Sequence, residues 1–246
     1  MVKSRTHHPS EGMAHEHHHR NVQGGTARAA VFGISDGLVS NVALVIGVAG
    51  GHPAAGVVRL AGIVGLIGGA FSMAAGEYNS MQAQRELLER ELEIERKEIH
   101  RRPESERREL VQIYRSRGID KELAEELATE MHRDPALALE THAREELGID
   151  PSELGSPVGA AAASFVTFSV GALLPLIPWF FGGGTGAIWA SVVLGLVGSL
   201  AIGIALSAFT GRSWVRTSTR QLLVGALAAG VPYLIGNAVG AGISAV

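Results

Sequence analysis

Cysteine is absent from this chain of 246 residues, which excludes disulfides and thiolate metal sites. The first 28 residues are polar and His-rich. No short apolar core follows a charged start there, so no secretory leader is expected. Glu-x-x-His occurs once, from Glu16 to His19. A ferritin-like di-iron enzyme needs that motif on two bundle helices, which argues against a ferroxidase built within one chain. With a net charge of −3, no nucleic-acid partner is expected. Charge is also scarce in long stretches of the chain, and the few charges found there carry most of the information.

The apolar residues gather into five blocks, at about 29–51, 57–81, 157–181, 184–209 and 219–245. A helix needs ~20 mostly apolar residues to cross a bilayer, and each block is long enough. The many Gly, Ala and Ser residues suit helices packed closely in lipid, where small side chains let backbones approach. Five spans with a cytoplasmic N-terminus put 20 of the 21 Lys and Arg residues on the inner side and only Arg59 outside. Retention of positive charge inside favours that orientation.

Two acids interrupt the first pair of blocks. Asp36 lies about a third of the way along the first, and Glu77 closes the second, with Met73 one helical turn before it. A carboxylate inside a span costs at least ~2.5 kcal/mol on insertion scales, so it usually faces a partner, a cavity or an ion. Counting from the inner ends of the antiparallel spans puts Asp36 and Met73 near the same depth, ~10 Å in, with Glu77 at the entrance. Two acids and a thioether in one hairpin suggest a path for a cation.

Residues 82–156 differ in composition, with 20 Asp+Glu against 13 Lys+Arg. The second span has neither Gly nor Pro between Glu77 and Arg102, so its helix should run on into this segment. Pro103 suits a first helical turn, and further helices are expected through about Arg117, from Asp120 to His132, and from Asp134 to Leu147. The expected organisation is therefore all-α. It comprises a tail over 1–28, a transmembrane hairpin over 29–81, a helical cytoplasmic domain over 82–156, and three further spans over 157–246.

Most acids of the insert read as a solvated face held by i,i+4 pairs such as Glu86–Arg90 and Glu93–Lys97. Glu95 with Glu98, and Glu106 with Glu109, stand apart. Each pair has i,i+3 spacing, and a turn at 101–103 can fold the two faces together. Clustered carboxylates repel unless a hard or borderline divalent cation sits among them.

These residues resemble a known family. VFGISDGLVSNVALVIGVAG in the first span and FSMAAGEYNSMQAQRE at the end of the second are similar to the vacuolar iron transporter family. GALLPLIPWFF, FTGRS and YLIGNAVG fit the same pattern less specifically. The resemblance spans roughly residues 28–245. It implies a five-span homodimer in a lipid bilayer that exports Fe²⁺, and often Mn²⁺, from the cytosol in exchange for protons. The membrane would be the plasma membrane in a prokaryote and the vacuolar membrane in a eukaryote. The resemblance also implies a transporter rather than an enzyme, with no resident cofactor.

Carried over by residue, the resemblance makes Asp36, Met73 and Glu77 the transport path. Glu95, Glu98, Glu106, Glu109 and Glu146 become ligands of a cytoplasmic metal-binding domain that takes Fe²⁺, Mn²⁺ or Zn²⁺. Members of the family can carry methionines one turn before the last glutamate. Here His142 and Ala143 stand there, and His142 can bind a borderline ion through a ring nitrogen. Glu16 is a candidate carboxylate reaching toward this domain. The tract of His7, His8, His15, His17, His18 and His19 is either a metal collector or a plain polar tail. His52, His100 and His132 are expected at a turn or on a solvated helix face.

Three alternatives to proton-coupled export stay open. A membrane-anchored storage or ferroxidase module would oxidise Fe²⁺. A passive channel would ignore the pH gradient. In a scaffolding protein, Asp36 would only pair with Ser40 or Asn41.

Overall fold

The computed structural model describes residues 25–152 and 154–243, and among these every regular element is a helix. Helix α1 spans Thr26–Gly50 and α2 spans Ala55–Arg101. The short α3 (Pro103–Ser116), α4 (Lys121–Met131) and α5 (Pro135–Glu145) follow. Then come α6 (Pro157–Leu176), α7 (Pro178–Phe181), α8 (Gly184–Thr210) and α9 (Trp214–Ile243). Five of them, α1, α2, α6, α8 and α9, are long and apolar enough to cross a membrane. Glu16 and the N-terminal histidine tract lie outside the described residues.

Local sequence explains where the helices stop. α1 turns into α2 through His52, whose φ is 55°, and 47 residues then run as one helix. Pro103 opens α3, and Gly118, at φ 91°, follows its end. The carboxylates of Asp120 and Asp134 accept backbone N–H bonds from Glu122 and Ala136 and cap α4 and α5, each such cap contributing ~1 kcal/mol. The third apolar block, expected as one span to 181, breaks after Leu176. Pro178 cannot donate to the helical ladder, and four residues continue as α7.

α1 is the central strut, packed against α2, α6, α8 and α9. Its approach to α6 is backbone on backbone. A Cβ on Gly37 would overlap the Phe168 carbonyl, and one on Gly171 would overlap the Ile34 carbonyl. In lipid no hydrophobic force drives helices together, so such close van der Waals packing carries the association. Leu38, Val42 and Ile46 of α1 fill the seam toward Ile202 and Ala229. α3 and α4 hold each other separately, through Leu110, Val111, Tyr114, Ala124 and Ala128. Arg117 ties the end of α3 to Glu145 at the end of α5.

Candidate metal sites

Asp36, Met73 and Glu77 line one groove of about 410 Å³ between α1 and α2, closed on one side by Phe168 of α6. Its mouth is marked by an ion pair that the sequence reading did not foresee. Arg28 Nη2 donates to Glu77 Oε2 at 3.0 Å, with the Glu77 side chain only 9% exposed and that of Arg28 60%. A guanidinium there neutralises a buried carboxylate. The signal in the sequence was thin: Arg28 is the one cation at the start of the first apolar run, opposite the end of an antiparallel second run.

The Arg28–Glu77 bond and the contact of Asn41 with Gly65 fix the register of α1 against α2. Asp36 lies eight residues beyond Arg28, hence opposite about Gly69. Met73 stands four residues nearer the mouth, ~6 Å at 1.5 Å per residue. On two antiparallel helices the Asp36 side chain leans toward the mouth and that of Met73 leans away from it, so the two donors approach each other from adjacent turns, with Glu77 nearest the mouth. Asp36 is half-buried and accepts one hydrogen bond, from Ser40 Oγ at 3.1 Å. A carboxylate has about four acceptor positions, so most of its capacity faces the groove.

The second grouping lies on the three short helices and the far end of α2. One donor atom each from Glu95, His142 and Glu146 lies within 4.8 Å of the other two. His142 is fully buried, and its Nδ1 faces Glu95 Oε1 at 3.1 Å and Glu146 Oε2 at 3.2 Å. Glu95 Oε1 is buried without a hydrogen-bond partner. Burial, then the charges of Glu146, Glu106, Glu98 and Glu109, push the Glu95 carboxyl up to about 7. Of the carboxylates singled out in the insert, only Glu95 and Glu146 reach this group with His142, and Glu98, Glu106 and Glu109 act on Glu95 through their charge. Glu106 is buried and also raised, by burial first and then by Glu109 and Glu98, while Glu98 and Glu109 are exposed.

One imidazole nitrogen among carboxylate oxygens suits a borderline divalent ion. The other face of His142 meets His132, expected at a turn or on a solvated helix face and found in the turn that ends α4. His132 Nε2 lies 3.1 Å from His142 Nε2, and its ring is half-buried. Only His132, Arg133 and Asp134 separate α4 from Pro135 at the start of α5, so the cap of α4 folds back onto α5. Burial, with His142 and Arg107 nearby, holds the His132 pKa below its ordinary 6.5. A neutral His132 can accept the Nε2 proton that His142 must carry when its Nδ1 binds a cation, which fixes the ring for that role.

These shifts give a pH dependence. Glu95 keeps its proton to about pH 7 instead of its ordinary 4.5. The stability this lends the empty fold is complete below 4.5 and is lost as pH rises through 7. A cation binds only the deprotonated form, so its affinity should rise about tenfold per pH unit up to 7 and then level off. Mn²⁺ added to the purified chain should therefore raise the melting temperature little at about pH 5.5 and strongly at about pH 7.5. Equal shifts at both values would remove Glu95 from the ligand set.

Comparison with known proteins follows the same lines. The VIT family profile matches residues 27–237. A protein of Oryza sativa subsp. japonica named vacuolar iron transporter 1 is 28% identical over 93% of both chains. The protein of that name from Eucalyptus grandis is 30% identical over 88% of this chain and 87% of its own. A vacuolar iron transporter of Acanthamoeba castellanii is 38% identical over 62% of this chain and 55% of its own.

Proposed function

This chain belongs to the VIT family, and on that premise we propose that it carries divalent iron across a membrane from the cytosol in exchange for protons. Manganese is the second cargo of the reading. The observation that carries it is the groove in which Glu77, Met73 and Asp36 follow one another inward between two apolar helices. Carboxylate oxygens replace part of the hydration shell of a divalent ion, and the thioether adds a soft contact that favours Fe²⁺ over Ca²⁺ or Mg²⁺.

In this mechanism the Glu95–His142–Glu146 cluster concentrates the ion on the cytosolic side. Glu77 then exchanges Arg28 for the ion at the mouth, and Met73 and Asp36 pass it inward. A proton arriving from the far side on Asp36 or Glu77 discharges the carboxylate and releases the ion. The proton and the divalent ion compete for the same carboxylate oxygens, so one residue can alternate between the two. The functional unit of the reading is a homodimer: α2 leaves Leu60, Val64 and Phe71 exposed, and a second copy would cover them.

Proteoliposomes loaded with a metal-sensitive dye test the proposal. External Fe²⁺, and Mn²⁺ in parallel, should enter vesicles that contain the chain faster than protein-free vesicles. Replacing Glu95, Glu98, Glu106 and Glu109 together by Ala should slow entry without ending it, because the groove is untouched. No entry with the unmodified chain, for either ion and at either sign of pH gradient, would overturn the proposal.

A further inference from the structure

Asn41 lies five residues beyond Asp36 on α1, ~7.5 Å deeper along the same groove. Its side chain is 2% exposed, an unusual place for a primary amide in a chain that packs mostly Gly, Ala, Leu and Val between these helices. Asn41 Nδ2 donates to the Ala172 carbonyl of α6 at 2.5 Å. A carbonyl oxygen accepts only from the nitrogen end of an amide, so this contact settles which end points where.

Oδ1 is thereby directed away from α6 and toward α2. A Cβ on Gly65 would lie 3.1 Å from it, and both residues line the groove. No donor among the described residues bonds this oxygen. The nearest hydroxyl on the same helix, that of Ser40, is committed to Asp36. A buried carbonyl oxygen left without a partner is destabilising, and a chain retains such a group where something else fills it.

We infer that Asn41 Oδ1 is a cation ligand, a further station on the path, beyond Asp36. The inference rests on the proposed transport function. An amide oxygen is a hard, neutral donor of the kind that divalent ions take. It coordinates the ion as it leaves Asp36 and does not hold it by charge, so the ion can move on. It also cannot be protonated at any relevant pH, which confines proton competition to the carboxylates. Gly65 belongs to the arrangement because a side chain there would stand 3.1 Å from the oxygen, between it and an ion in the groove.

The experiment measures initial rates of Fe²⁺ entry into proteoliposomes against Fe²⁺ concentration, with Mn²⁺ in parallel, for four proteins of checked melting temperature and elution volume. The unmodified chain sets KM and kcat. Asn41→Leu removes the ligand at similar volume, and KM should rise about tenfold. Asn41→Asp places a charge at the same point, and entry should become tighter and slower, with KM and kcat both falling. Gly65→Ala keeps the Asn41 amide but adds a methyl that displaces the Leu44 side chain and covers the oxygen, and should act in the direction of Asn41→Leu. If Asn41→Leu does not fold, the other two variants decide. Transport by the unmodified chain with KM and kcat unchanged in the folded variants would overturn the inference and leave the transport function standing. Absence of transport in the unmodified chain would remove both.

Discussion

Asp36→Ala is expected to reduce Fe²⁺ entry into proteoliposomes to the level of protein-free vesicles. A divalent ion within the apolar part of a bilayer has lost most of its water, and only opposite charge offsets that loss. Asp36 and Glu77 are the only acidic residues in residues 25–81 and 157–246, and Glu77 already has Arg28 as a partner. Removing one member of a buried charge pair typically costs ~3–5 kcal/mol, which at 1.4 kcal/mol per factor of ten is a loss of at least about 100-fold. The fold should survive, because the variant gives up one hydrogen bond, from Ser40, and no packed volume in the seam around Leu38 and Ile46. Asp36→Asn keeps that bond and the shape but not the charge, and should be equally inactive. Entry by either variant at the unmodified rate would restore the scaffolding reading, in which Asp36 only holds Ser40.

Reversing the pH gradient should change not only the rate of metal entry but the level at which it stops. In the proposed exchange, a proton and a divalent ion compete for one carboxylate, so vesicles acidic inside should accumulate Fe²⁺ above the outside concentration while their interior becomes more alkaline. For an exchange of two protons per ion, one pH unit would support an ion ratio of about 100, because each proton contributes about a factor of ten. Vesicles alkaline inside should accumulate none. Metal and pH dyes read together give both quantities. Metal entry that stops at equal concentrations under every gradient, with no opposing proton movement, would leave a passive channel through the same groove.

The sequence made the spans, the insert and the two membrane acids legible because each is a matter of composition along the chain. Asp36 and Glu77 stand out wherever their helices go, and Pro103, Asp120 and Asp134 announce helix starts by local chemistry alone. Arg28, Asn41 and His132 were not legible, since each matters through a partner on another helix: Glu77, the Ala172 carbonyl and His142. Those partnerships depend on the register between helices, which close glycine contacts such as Gly37 on Phe168 determine and which no spacing rule supplies.

The unbroken α2 carries both candidate groupings, with Glu77 at the groove and Glu95 in the cluster 18 residues further on. At 1.5 Å per residue they are ~27 Å apart, about three Debye lengths at physiological salt. Charge gained at one is therefore nearly invisible at the other, and filling the cluster does not pull ions toward the mouth or push them from it. No glycine or proline interrupts the helix between them, so what the field cannot convey the rod can. A tilt of about 5° at the cluster would swing the far end by ~2 Å, comparable with the reach over which Arg28 holds Glu77. The insert is electrically remote from the membrane groove and mechanically continuous with it, as a lever is with its load.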